Sequence, residues 1–158
     1  MREEQGNILY YVGKVDVIAH QVNVNGVMGG GLALQIKEAY PEVYGFYKSR
    51  CDAFHRDGLK VLLGSCMAFN FRQSKTLCAN LFGQELSGSK RETNYEAIYN
   101  ALDDLRDLMV KVGLKSVAFP YGMSCGLGGG DWRIVSAMIE VVFEGSGIDI
   151  VIVKYDPQ

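Results

Sequence analysis

An α/β fold, with a mixed and mainly parallel sheet sandwiched by helices, is predicted by three observations. Short runs of β-branched and aromatic residues alternate with helix-periodic segments, one of the runs is apolar at nearly every position, and glycine-rich loops follow two of them. The loops are Gly26-Val27-Met28-Gly29-Gly30-Gly31 and Gly126-Leu127-Gly128-Gly129-Gly130, which hold eight of the chain's 19 glycines.

Residues 7–12 and 15–22 read as strands, the second as one buried on both faces. After the first glycine loop, residues 32–40 place Leu32, Ile36 and Tyr40 at helical spacing, and Pro41 ends that helix or opens the next, which runs to about residue 54. Residues 60–71 and 76–82 form a candidate hairpin around the polar turn 72–75, and residues 83–92 read as a polar loop. Thr93-Asn94-Tyr95-Glu96 carries a capping-box pattern ahead of a long helix whose buried stripe is Ile98, Leu102, Leu105 and Met109. Residues 116–119 make a short strand that runs into the second glycine loop. Asp131 stands at an N-cap position before a helix with Ile134, Val135, Met138, Ile139 and Val142 on one face, and residues 148–155 supply a last strand.

The expectation is one domain over residues 1–158, with 48% hydrophobic content to build a core. No apolar run reaches the ~18–20 residues of a membrane span. The four cysteines (51, 66, 78 and 125) lack C-x-x-C spacing and the first residues lack an apolar leader, so a reducing, cytoplasmic setting with free thiols is expected. The net charge of −2 and the scattered basic residues argue against a broad duplex-binding surface. No metal is implied and no cofactor is expected, because neither a carboxylate cluster nor a histidine–thiolate set accompanies the loops.

A strand, glycine loop and helix in series present free N–H groups and the positive end of a helix dipole to an anion. Two such loops could hold a diphosphate from both sides, or could be tight turns that bind nothing. Neither has the lysine of a P-loop or the G-x-G-x-x-G spacing of a dinucleotide fold. The run His20-Gln21-Val22-Asn23-Val24-Asn25 adds polar side chains at a strand end beside the first loop.

The stretch from His20 to Ala33, together with Pro120 to Trp132, resembles the macrodomain family of ADP-ribose-binding modules, and the likeness extends over essentially the whole chain. The resemblance implies a three-layer α/β/α sandwich and an ADP-ribose cleft. By position it implies ligand contacts at Asn7, Ile8, Asn25, Met28, Gly29, Gly30, Gly31, Ser124, Cys125, Gly126, Leu127 and Gly128. Asn23 matches the asparagine that holds the distal ribose. Asn7 departs from the family's aspartate at the adenine, and its amide oxygen can accept from the adenine amine without charge assistance.

The nearest branch contains ADP-ribose 1″-phosphate phosphatases, antitoxin macrodomains that strip ADP-ribose from DNA, and glycohydrolases acting on ADP-ribosylated protein. The glycohydrolases' lysine falls near Gly83 and Gln84 here, their aspartate falls on Gly128, and Lys90 lies six residues beyond Gln84. Candidate catalytic residues are therefore His20, Asn23 and Gln84. His20 is a candidate for protonating a leaving group or orienting water, against a plain hydrogen-bonded core histidine. Expected partners are ADP-ribose or an ADP-ribosylated small molecule, protein or nucleic acid. Hydrolysis of the 1″-phosphate leads, with a reader that turns nothing over, an ADP-ribosyl glycohydrolase, or an unrelated mononucleotide binder as alternatives.

Overall fold

The computed structural model describes residues 1–55, 62–86, 93–126 and 128–156. The chain runs β1 (Arg2–Gly6), a 3₁₀ turn (Ile8–Tyr11), β2 (Val17–Asn23), α1 (Gly31–Ala39), α2 (Pro41–Phe54), β3 (Cys66–Asn70), β4 (Leu77–Gln84), α3 (Tyr95–Val112), β5 (Ser116–Pro120), α4 (Trp132–Phe143) and β6 (Asp149–Tyr155). Strand order is β1-β6-β5-β2-β4-β3, and the pair β3–β4 is antiparallel while the others are parallel.

The period-two alternation of the strands sorts the core into two faces. Val17, Ala19, Ala79, Leu81, Val117 and Phe119 pack under α3 and α4 through Ile98, Leu105, Val135 and Ile139. Ile18, Cys78, Ala118 and Val151 face the other way, against the 3₁₀ turn and the first two helices through Ile8, Ile36 and Val43. A third cluster continues that face toward the carboxyl ends of the strands, with Val22, Val24 and Phe82 packed on Tyr47 and Cys51 of α2. The result is the three-layer α/β/α sandwich. Among the described residues no helix is long and apolar enough to cross a membrane.

Several sequence expectations change at their edges. Residues 7–12 are not a strand: Asn7 Oδ1 accepts from the Leu9 N–H at 2.9 Å and caps a 3₁₀ turn, while the true edge strand is the charged β1, paired with β6. Thr93 does not open a capping box. The N-cap of α3 is Asn94, whose Oδ1 accepts from the Ala97 N–H. The hairpin is present with a shorter first arm, β3, and β4 extends into the expected loop as far as Gln84. Pro41 is the first residue of α2, and Asp131 caps α4 as expected. Residues 56–61 and 87–92, including Lys90, lie outside the described residues.

The pairing of β2 positions the crevice of the sheet. β2 pairs with β4 from Val17 to Asn23, but with β5 only at Val17 and Ile18. Beyond Ile18 the two central strands part, and each ends in a glycine loop. The chain turns toward β4 after one and toward β6 after the other, so the crevice lies at the switch point of the sheet, where α/β folds bind ligands.

Candidate functional site

The crevice is a cleft of about 520 Å³ between the ends of β2, β4 and β5, the two glycine loops and the start of α1. Among the described residues that line it, no side chain is aspartate, glutamate, lysine or arginine. Helix α1 enters the cleft with a bare N-terminus. Its N-cap, Gly30, is extended (φ −158°, ψ 167°) and supplies no side-chain cap, and the first turn contains no acidic residue. The helix's ladder starts with the Leu34 N–H on the Gly30 carbonyl at 3.2 Å. The N–H groups of Gly31, Leu32 and Ala33 precede that bond, and all three residues line the cleft.

Asn23 organises the first loop. Its Oδ1 accepts from the Asn25 N–H (3.0 Å), the Val27 N–H (3.3 Å) and the Tyr47 hydroxyl (2.8 Å), and its Nδ2 donates to the Val27 carbonyl at 2.7 Å. With the oxygen saturated, the second Nδ2 proton is the group this side chain can offer a ligand. Asn25 does not line the cleft; it clasps the chain after β4, accepting from the Leu86 N–H at 2.8 Å and donating to the Leu86 carbonyl.

His20 is 2% exposed and lies opposite Asn80 on β4, with its Nε2 2.7 Å from Asn80 Oδ1. The Cys78 thiol also donates toward that oxygen. Burial pushes the imidazole pKa down to about 4, against a smaller upward pull from Asn80. At neutral pH the ring is uncharged, with its proton on Nε2 and Nδ1 left as an acceptor. Nδ1 and the Nε2 of Gln84, 9% exposed, are both buried without a partner among the described residues. His20, Asn23 and Gln84 thus share one cleft, and the first and last of them each carry a buried polar atom without a partner among the described residues.

The second loop turns on Ser124, which has φ +72°. Its hydroxyl donates to Gln21 Oε1 at 2.8 Å, and its carbonyl accepts from the Thr93 hydroxyl (2.8 Å) and the Gly130 N–H (2.9 Å). Gly29, Gly30, Gly31, Ser124, Gly126 and Gly128 line the cleft.

The other expected contact residues are not among those described as lining the cleft. Asn7 is occupied as a cap, Ile8 and the Met28 side chain are buried in core clusters, and the Cys125 thiol, raised in pKa by burial, donates to the Met123 carbonyl. Leu127 lies outside the described residues. Asp131, off the cleft wall, accepts from the Arg133 backbone N–H and pairs with its guanidinium. Sequence reasoning placed Gln21 only within the polar run at the strand end, and it missed Tyr121 and the buried Tyr47. The only available signal was for Gln21, a polar residue inside an apolar strand beside His20.

The Macro domain family model matches residues 19–139. The ADP-ribose 1″-phosphate phosphatase of Saccharomyces cerevisiae is 31% identical over 107 residues, which are 65% of this chain and 58% of that protein. The DNA ADP-ribosyl glycohydrolase of Thermus aquaticus is 27% identical over 159 residues, 99% of this chain but 41% of that protein. Among solved structures, the macrodomain of Mycobacterium tuberculosis DarG superposes with a TM-score of 0.81 at 27% identity, covering 99% of this chain and 97% of that one.

Proposed function

The chain belongs to the Macro domain family, and we propose that its cleft binds ADP-ribose and that it hydrolyses ADP-ribose 1″-phosphate to ADP-ribose and phosphate. The observation that carries the binding step is the bare N-terminus of α1 in a cleft whose described lining has no charged side chain. A diphosphate there meets N–H groups and the positive end of the helix dipole, worth up to about 2 kcal/mol when partly buried, and no carboxylate among the described lining residues repels it.

Phosphoryl transfer asks the protein mainly to position groups and stabilise spread charge. Water attacks phosphorus, the bond from phosphorus to the 1″ oxygen breaks, and the proton lost by the attacking water passes to that oxygen as the sugar leaves. The second Nδ2 proton of Asn23 and the unpartnered Nε2 of Gln84 are neutral donors suited to phosphate or ribose oxygens. His20, uncharged at neutral pH, is assigned to accept from water or a ribose hydroxyl rather than to supply a proton.

The yeast relative bears the name of this phosphatase activity. The Thermus relative's name points instead to DNA de-ADP-ribosylation. Among the described residues of the cleft there is no lysine or carboxylate for such chemistry. Phosphate release from ADP-ribose 1″-phosphate, measured beside ADP-ribosylated thymidine in DNA and ADP-ribosylated glutamate in a peptide, tests the assignment. Release from the first substrate alone is expected. Binding of ADP-ribose with none of the three consumed would make the chain a reader.

A further inference from the structure

We propose that Gln21 is the positioning residue that holds the second glycine loop in its ligand-ready shape, through a closed ring of hydrogen bonds with Thr93 and Ser124. The proposal rests on the reading that this loop grips the diphosphate of the bound ligand.

Three segments distant in sequence meet in the ring. Gln21 Nε2 donates to Thr93 Oγ1 at 3.3 Å, that hydroxyl donates to the Ser124 carbonyl at 2.8 Å, and the Ser124 hydroxyl donates back to Gln21 Oε1 at 2.8 Å. Each donor meets an acceptor, and the ring closes through Ser124, whose main-chain carbonyl accepts and whose hydroxyl donates. Two backbone bonds brace it: Thr93 N–H to the Gly128 carbonyl at 2.8 Å and Gly130 N–H to the Ser124 carbonyl at 2.9 Å. Ser124 has the left-handed φ of +72°, a conformation that L-residues keep only where the surroundings over-determine it. Gln21 reaches this loop because β2 has already left β5 at Ile18.

Two glycines make room for the ring. A Cβ on Gly83 would stand 2.6 Å from Gln21 Oε1 and collide with the Ile98 side chain. A Cβ on Gly128 would collide with the Thr93 hydroxyl and come within 2.7 Å of the Ser124 carbonyl. Gly128 is therefore required by close packing of the protein on itself, whatever it does for the ligand. Ser124, Gly128 and Gly130, tied in this way, hold their places before the ligand arrives, so binding does not have to fix them.

The test compares wild type with Gln21→Leu, Thr93→Val and Thr93→Ser by amide hydrogen exchange of the free protein and by calorimetry with ADP-ribose and ADP. Gln21→Leu and Thr93→Val should speed exchange at Thr93 and Gly130 about tenfold or more while the β2–β4 amides stay protected. They should also weaken ADP-ribose and ADP to a similar extent, about tenfold, because the loop meets the diphosphate that both share. Thr93→Ser, which keeps the hydroxyl, should restore both readouts. Unchanged exchange at Thr93 and Gly130 in Gln21→Leu, or an equal rise across the whole sheet, would overturn the proposal. If wild type bound neither nucleotide the cleft assignment would fail, and the exchange data would still decide the role of Gln21.

Discussion

The Tyr47 hydroxyl, carried on α2 in a fully buried side chain, lies 2.7 Å from the Asn23 carbonyl and 2.8 Å from Asn23 Oδ1. Its single proton is shared between these two oxygens of the residue that shapes the first glycine loop. Burial also drives the phenol pKa far above its ordinary value, so the group stays a proton donor at every working pH. Tyr47→Phe removes the donor with little change in shape. The expected cost is about 1 kcal/mol of stability, read by urea unfolding. A severalfold weaker ADP-ribose affinity should accompany it, because Asn23 loses part of its restraint.

His20 makes stability depend on pH. The unfolded chain protonates this imidazole near its ordinary 6.5, whereas the folded chain resists until about 4. Between those values the unfolded state holds more protons, so folding weakens as pH falls and the loss is complete below about 4. The contribution amounts to about 2 kcal/mol by pH 5. Thermal unfolding of wild type and His20→Gln should therefore differ in slope from pH 7 to pH 5, with the variant losing less. Parallel curves would mean that the ring is not buried neutral.

Asp131 separates capping from chemistry. It accepts from the Arg133 N–H at 2.9 Å at the start of α4 and does not line the cleft. Asp131→Ala should lower Tm by roughly 2–4 °C, the usual effect of a lost cap in a domain of this size. ADP-ribose affinity and phosphate release should stay at wild-type levels.

The parts of the fold with strong periodicity were legible in the sequence. Val17 to Val22 announced a central strand because it is apolar on both faces, and Ile98, Leu102, Leu105 and Met109 announced α3 because they recur on one. Strand β1 carried no such signal. Arg-Glu-Glu-Gln-Gly is charged and largely exposed, and it is a strand because its backbone pairs with β6 and Arg2 reaches Glu4 and Asp149. Residues 7–12 looked extended from their β-branched and aromatic content, yet a single local bond to Asn7 turned them into a 3₁₀ helix.

The site divides in the same way. His20, Asn23, Gln84 and the glycines could be located because they stand at strand ends or in the loops themselves. Tyr47 and Thr93 could not, since each acts on a partner 24 or 31 residues away across the fold. The glycines also proved to be of two kinds. Gly128 is demanded by close packing, whereas Gly30 is extended, a conformation open to any residue, and faces the cleft at the head of α1.

That difference supplies the most direct measurement. Calorimetric titration of ADP-ribose into wild type and Gly30→Glu places a carboxylate at the bare helix terminus without asking the backbone to change. Wild type should bind one equivalent, and the variant should keep its thermal transition while giving no binding heat, because side-chain bulk and negative charge take the diphosphate's place. A folded Gly30→Glu protein with undiminished affinity would contradict the assignment of this cleft to ADP-ribose.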